Sequence, residues 1–163
     1  MKKIYAYLNG GLGNQMFQYS TARALALRTG AELVLDTWSG FVRDKLYHRS
    51  YELHYLPIQA RVATALERAP IWLFRAENRM RRLNMDMFQR RIYGNFLVES
   101  EFRFLEELIH YHLVADAWLV GYWQSNRYFQ DYSAILCAEL MPPRPTQKQF
   151  LDIGQKLRET ESV

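Results

Sequence analysis

The chain opens on a short apolar run, Lys3 to Leu8 (KIYAYL), whose β-branched and aromatic residues suit a buried strand. The run stops at Asn9-Gly10-Gly11-Leu12-Gly13, where the backbone must turn. Beyond the glycines, Met16, Phe17, Ser20, Ala24 and Leu27 recur at helical spacing; Asn14 stands where an N-cap is expected and Gly30 where a helix ends. Ala31 to Leu35 (AELVL) then predicts a second strand ending near Asp36. Strand, glycine turn, helix and strand within some 34 residues form a crossover unit. Such units imply a parallel sheet with a right-handed connection, so the expected fold class is α/β, a Rossmann-like parallel sheet with flanking helices.

The rest of the chain is less periodic. Trp38 to Pro57 mixes aromatic, basic and histidine residues and is expected to form loops with short elements facing a cleft or the surface. Arg61 to about Asn84 predicts helix, with Pro70 opening a turn or a new helix. Phe96 to Glu99 predicts a short strand, Phe104 to Leu108 a helical stretch, and Trp118 to Tyr122 another buried strand. A helix is expected from Ser125 to about Leu140, capped by Ser125 or Asn126. Met141-Pro142-Pro143-Arg144-Pro145 reads as a linker, after which Thr146 and Gln149 match a capping box and Phe150, Ile153 and Leu157 share one face of a final helix. The expected organisation is one domain over residues 1–145 and a helix over 146–163 that leads into a further, donor-binding domain.

Composition narrows the classes without choosing a function. With 163 residues, 49% hydrophobic and 23% charged, the chain suits one ordinary domain with a sizeable core and is not composed like a disordered segment. Aromatic residues at 15% suit flat contacts with sugars, bases or partner proteins. The net charge of +4 is matched by the window Arg75 to Arg91 alone, where six arginines face only Glu77 and Asp86. That window suits either a solvated helix face or, with Trp72, Phe74 and Met80 beside it, peripheral contact with an anionic membrane. No nucleic-acid-binding motif accompanies it. Cys137, the single cysteine, permits no internal disulfide and sits in an apolar run where a buried core position is expected. The N-terminus has no signal-peptide pattern and no stretch reaches the ~18 apolar residues of a membrane span, so a cytoplasmic protein is expected.

Candidate chemistry concentrates at the glycine turn. Backbone N–H groups and a helix N-terminus at the carboxyl edge of a parallel sheet can cradle a pyrophosphate, although a bare glycine turn is equally a plain tight turn. The dinucleotide fingerprint fails because Met16 stands where glycine or alanine is required, and no Gly-Lys-Thr makes a P-loop. His110-x-His112 lacks companion ligands and no Asp-x-Asp is present, so no metal site is expected.

The string Gly10-Gly11-Leu12-Gly13-Asn14-Gln15-Met16-Phe17-Gln18-Tyr19, followed by Ala22-x-Ala24-Leu25-Ala26, resembles the opening signature of family 11 glycosyltransferases, the α-1,2-fucosyltransferases. Tyr51-Glu52-Leu53 and Gly121-Tyr122-Trp123-Gln124-Ser125 with Tyr128-Phe129 resemble two further motifs of that family, in order and spacing. The resemblance implies the N-terminal domain of a two-domain, GT-B-like glycosyltransferase. It implies inverting, metal-independent transfer of L-fucose from GDP-fucose to the 2-hydroxyl of a galactose-terminated oligosaccharide, with no cofactor beyond the donor substrate. The family's His-x-Arg-x-Gly-Asp motif, which supplies the arginine for the departing diphosphate, is absent from this chain. The catalytic residues are therefore unassigned, and a truncated form is expected, with a non-catalytic sugar-binding domain as the alternative. The substrate-binding candidates are Gly11, Leu12, Gly13, Asn14, Gln15, Trp123 and Gln124. Asn14 is alternatively a plain helix cap, Trp123 alternatively core filling, and Asp36 either a sugar contact or a turn cap.

Overall fold

The computed structural model describes residues 1–42, 44–68, 96–99 and 103–160. The basic window Arg75 to Arg91 and most of the helix expected up to Asn84 lie outside the described residues.

Among the described residues the framework is a sheet of five parallel strands in the order β3-β2-β1-β5-β4. These are β1 (Lys3–Tyr7), β2 (Glu32–Asp36), β3 (Arg61–Val62), β4 (Phe96–Val98) and β5 (Ala117–Val120). The first two strands are parallel neighbours, with Tyr5 opposite Val34 on one side and Trp118 on the other. Ile4, Ala6 and Leu8 bury one face of β1, and Tyr5 and Tyr7 the other, as a strand covered on both sides requires. Tyr5 and Trp118 stack at 4.5 Å across the β1–β5 pair.

Between β1 and β2 runs α1 (Leu12–Thr29), which ends on Gly30 in the left-handed conformation (φ 65°). Its N-cap is Gly11, not Asn14; Asn14 lies in the first turn and its side chain accepts a hydrogen bond from Gln124 instead. The buried face also differs in part from the expected stripe, of which Ser20 and Ala24 are buried. Gln15, Gln18, Tyr19, Ala22, Leu25 and Ala26 are buried, whereas Met16, Phe17 and Leu27 are half-buried.

Several expectations fail where long-range contacts decide the local structure. Arg61–Val62 is an edge strand beside Val34 and Leu35, not the start of a helix. Arg61 reaches Glu32 at 2.9 Å and Glu67 at 2.8 Å, and Glu67 also takes Lys3 Nζ, so one charge network pins β3 to the sheet. Phe104 to Leu108 contracts to a 3-10 turn over Glu106–Leu108. The stretch from Ser125 is broken into 3-10 turns at Asn126–Tyr128 and Gln130–Tyr132 before α2 (Ser133–Leu140). The break sits at Phe129 (φ −138°, ψ 9°), and Tyr128 beside it enters the core, its hydroxyl accepting from Leu105 N–H at 2.7 Å. Cys137 is exposed because α2 turns Leu136 and Glu139 inward. Glu139 accepts from Tyr19 Oη and from Arg23 at 2.7 Å, tying α2 to α1.

The final helix, α3 (Lys148–Glu159), starts from Gln147 without a side-chain cap. The expected Thr146–Gln149 box does not form, since Gln149 Nε2 donates to Gln147 Oε1. Phe150, Ile153 and Leu157 on α3 are all exposed. No helix among the described residues is long and apolar enough to cross a membrane.

Two variants probe this framework. At Gly40 a Cβ would lie 2.0 Å from the Leu8 carbonyl oxygen, a backbone contact that cannot yield. Gly40→Ala is expected to lose at least about 1–3 kcal/mol, the usual cost of overpacking, in urea denaturation. Arg61 and then Lys3 hold the Glu67 carboxyl well below the usual range. Its folded pKa is depressed, so its contribution is present above about pH 4.3 and lost as the pH falls toward the folded value. Melting temperatures measured across the acid range should fall less steeply for Glu67→Gln than for the parent chain.

Candidate functional site

The strand order places a switch point between β1 and β5, since the chain goes from β1 to β2 on one side and returns to β5 on the other. In open parallel sheets the loops leaving the carboxyl ends of such strands part to form a ligand crevice. Here those loops are Leu8 to Gly11 and Gly121 to Gln124.

The three glycines of the first loop differ physically. Gly10 has φ +76°, and a Cβ there would lie 2.6 Å from Asn14 Nδ2. Gly11 and Gly13 are not confined in this way, because a Cβ on either meets nothing within 4 Å. Gly11 as N-cap also carries no side-chain oxygen, so it cannot cap the first-turn N–H groups of α1. Open space and the positive end of a helix dipole therefore coincide at Gly11 to Gly13, an arrangement suited to a phosphate group.

Behind this mouth, side-chain amides and carboxylates hold the loops. Gln15 is fully buried; its Nε2 donates to the carbonyls of Gly10 and Ser50, both at 2.9 Å, and its Oε1 accepts from Glu52 N–H at 2.9 Å. Gln18 and Asn9 exchange two bonds, Asn9 N–H to Gln18 Oε1 at 3.1 Å and Gln18 Nε2 to Asn9 Oδ1 at 2.6 Å. Asp36, also fully buried, accepts from Trp38 and Ser39 N–H and so acts as a turn cap. Glu99, just past β4, accepts from Tyr122 N–H at 2.7 Å and Trp123 N–H at 3.0 Å. Across the crevice, Gln124 Nε2 donates to Asn14 Oδ1 at 2.8 Å.

The structure thus gathers the three sequence strings at one edge. Gly11, Leu12, Gly13, Asn14 and Gln124 lie at the mouth, with Leu12, Gly13 and Gln124 exposed. Two candidates are turned inward. Gln15 has its amide fully engaged by the loop backbone, and Trp123 is 1% exposed, packed edge-on against Tyr128 at 5.7 Å, which leaves no free face for a sugar. Trp123 adopts φ +56°, and its indole N–H finds no partner among the described residues. Gln18, Glu99 and Ser50 escaped the sequence reading. The available signal was an acid or amide placed directly at a strand end, the pattern Asp36 shares with Glu99.

Burial and then the Glu139 carboxylate push the Tyr19 hydroxyl well above its ordinary value, so it remains a protonated donor to Glu139. His110 and His112 are exposed, and no group of three or more His, Cys, Asp or Glu among the described residues is placed to hold a metal ion.

Gln15→Leu tests the bracket. It takes their shared partner from the Glu52 N–H and the Gly10 and Ser50 carbonyls, and each such part-buried hydrogen bond is worth about 0.5–1.5 kcal/mol. A clear loss of urea-unfolding stability is expected, whereas Asn14→Ala, at the half-buried mouth, should change stability by well under about 1 kcal/mol.

No protein-family model matches the chain. Over an alignment of 173 positions it is 25% identical to the α-1,2-colitosyltransferase of Escherichia coli, with 100% of this chain and 53% of that protein covered. The chain thus spans about half the length of the curated relative it matches. Among solved structures, NodZ α-1,6-fucosyltransferase soaked with GDP-fucose aligns at 12% identity over 97% of this chain and 55% of its own, with a TM-score of 0.38. Fucosyltransferase NodZ from Bradyrhizobium aligns at 11% identity with the same coverage and TM-score. In sequence, the chain's relationship therefore runs to a glycosyltransferase.

Proposed function

We propose that the chain forms the N-terminal, Rossmann-like wall of an inverting sugar transferase that moves L-fucose from GDP-fucose to the 2-hydroxyl of a galactoside. The observation that carries this reading is the convergence of three separate strings on the crevice between β1 and β5. Gln15 joins the glycine turn to Ser50 and Glu52, and Asn14 joins it to Gln124. The sequence relation of the whole of this chain to about half of an α-1,2-colitosyltransferase supports it.

In this reading the acceptor 2-hydroxyl oxygen bonds to the anomeric carbon while the bond from that carbon to the diphosphate oxygen breaks. The hydroxyl proton passes to a base that remains unassigned. The α1 N-terminus and the unfilled space over Gly11 and Gly13 receive part of the diphosphate charge. An arginine from a second domain meets the rest, since preorganised donors to developing charge are worth ~10²- to 10³-fold in rate. A galactose-terminated chain approaches past Asn14 and Gln124. Contact with an anionic membrane through Arg75 to Arg91 is part of the same proposal, and loss of salt-sensitive liposome flotation would remove it.

Transfer should be assayed with GDP-fucose and a terminal galactoside in the presence of EDTA, comparing the 163-residue chain with a longer form that carries a donor-binding domain. Turnover is expected only from the longer form. Turnover by the 163 residues alone overturns the two-wall reading, and a folded but inactive longer form counts against transfer altogether. Gly13→Ala in the longer form should fold as well as the parent or gain about 0.5–1 kcal/mol, as alanine does for glycine in a helix. Its GDP-fucose affinity should nevertheless fall about tenfold, because the new methyl occupies the space over the turn.

A further inference from the structure

We propose that the loop from Asp44 to Tyr55 binds an anionic glycan, a sugar chain that carries a carboxylate or phosphate. The proposal rests on the sugar-transferase reading and names the substrate class of its acceptor side.

The loop is ordered from within. Asp44 Oδ1 accepts from Tyr47 N–H at 2.9 Å and Oδ2 from Arg49 N–H at 3.3 Å, so both carboxylate oxygens are engaged by the backbone they organise. His48 between them sits at φ +50°, a left-handed conformation that non-glycine residues rarely adopt. This ordering holds out groups that a fold driven by burial would not display. Leu46 is 76% and Tyr47 64% exposed, and Lys45, His48 and Arg49 are exposed beside them. The Arg49 guanidinium lies over the Tyr47 ring at 4.4 Å from its centre. Further along, the rings of His54 and Tyr55 meet at 3.9 Å, with Tyr55 68% exposed. A similar pair, Arg68 over Trp38 at 4.8 Å, stands just past the end of β2.

Position ties this surface to the crevice. Ser50, the residue after Arg49, gives its carbonyl to Gln15, which also holds Gly10, so the loop is fixed to the glycine turn. An exposed aromatic face matches the C–H face of a pyranose. A guanidinium stacked on a ring keeps its planar N–H edge available for a carboxylate or phosphate, and Lys45 adds a point charge. A neutral glycan would engage the rings and leave these cations unused.

The test measures binding of three galactose-terminated oligosaccharides to the 163-residue chain by calorimetry: one with a uronic acid, one with a phosphate, and one with the carboxyl reduced to an alcohol. Both anionic chains should bind about tenfold more tightly than the neutral one at low salt, and the advantage should shrink at high salt. Preference for only one anion identifies which group the loop reads and still supports the proposal. Arg49→Gln should abolish the anionic advantage and keep neutral binding, while Tyr47→Ala should weaken all three about fivefold or more, in line with the loss of a stacking contact. Both residues are exposed, and circular dichroism should confirm an unchanged fold. Equal affinities for charged and neutral chains overturn the proposal, as does an Arg49→Gln variant that keeps the preference. GDP binding is measured in parallel on the longer form that carries a donor-binding domain. If GDP binds and no glycan does, the loop proposal fails and the crevice stands; if neither binds, the sugar-transferase reading fails with it.

Discussion

Where a parallel sheet ends, the backbone N–H and carbonyl groups of the loops leave the strand ladder and must find other partners in backbone, side chains or water. In this chain that constraint is met by buried amides and carboxylates. Gln15 bonds Gly10, Ser50 and Glu52; Gln18 bonds Asn9; Asp36 bonds Trp38 and Ser39; and Glu99 bonds Tyr122 and Trp123. These bonds act together with apolar anchors from the same loops, Leu53 and Trp123 in the core and Phe41, Leu56 and Ile58 packed against it. Gln15, Gln18, Ser20 and Thr21 of α1 accordingly face inward, and the helix is anchored by hydrogen bonds at its first turns and by apolar contacts of Tyr19, Ala22, Leu25 and Ala26.

The central architecture was legible because its signals are local. Lys3 to Leu8, the glycine turn, Gly30 and the apolar run after it specify strand, turn, helix and strand without reference to the rest of the chain. What was not legible depends on partners distant in sequence. Arg61–Val62 becomes a strand because β2 has an open edge and Glu32 and Glu67 await the arginine. The break at Phe129 follows from Tyr128 seeking the Leu105 N–H, and the exposure of Cys137 from the pull of Arg23 and Tyr19 on Glu139. At the site, residue types marked the right loops but not the direction of each side chain. Gln15 and Trp123 carry groups that a ligand could use, and only the tertiary structure shows one engaged by backbone and the other enclosed by Tyr128 and its neighbours.

The glycines divide the same edge into two kinds of surface. Gly10, Gly40 and Gly121 allow close approach inside the domain: a Cβ at Gly40 would strike the Leu8 carbonyl and one at Gly121 would lie 2.4 Å from Glu99 Cβ. Gly11 and Gly13 have no such contact, so their lack of a side chain serves the space outside the domain and not its packing. Packing and open surface thus occupy adjacent residues of one loop and can be altered separately.

The Gln15 bracket makes two stretches of sequence that lie 35 and 37 residues apart into a single inherited part. A replacement at either stretch meets a partner shaped for the old backbone, so a loop transplanted from another protein would have to bring its own helix start with it. The side chains carried on the 44–49 tip can therefore be exchanged in this chain while the stem that bears them stays fixed to the glycine turn.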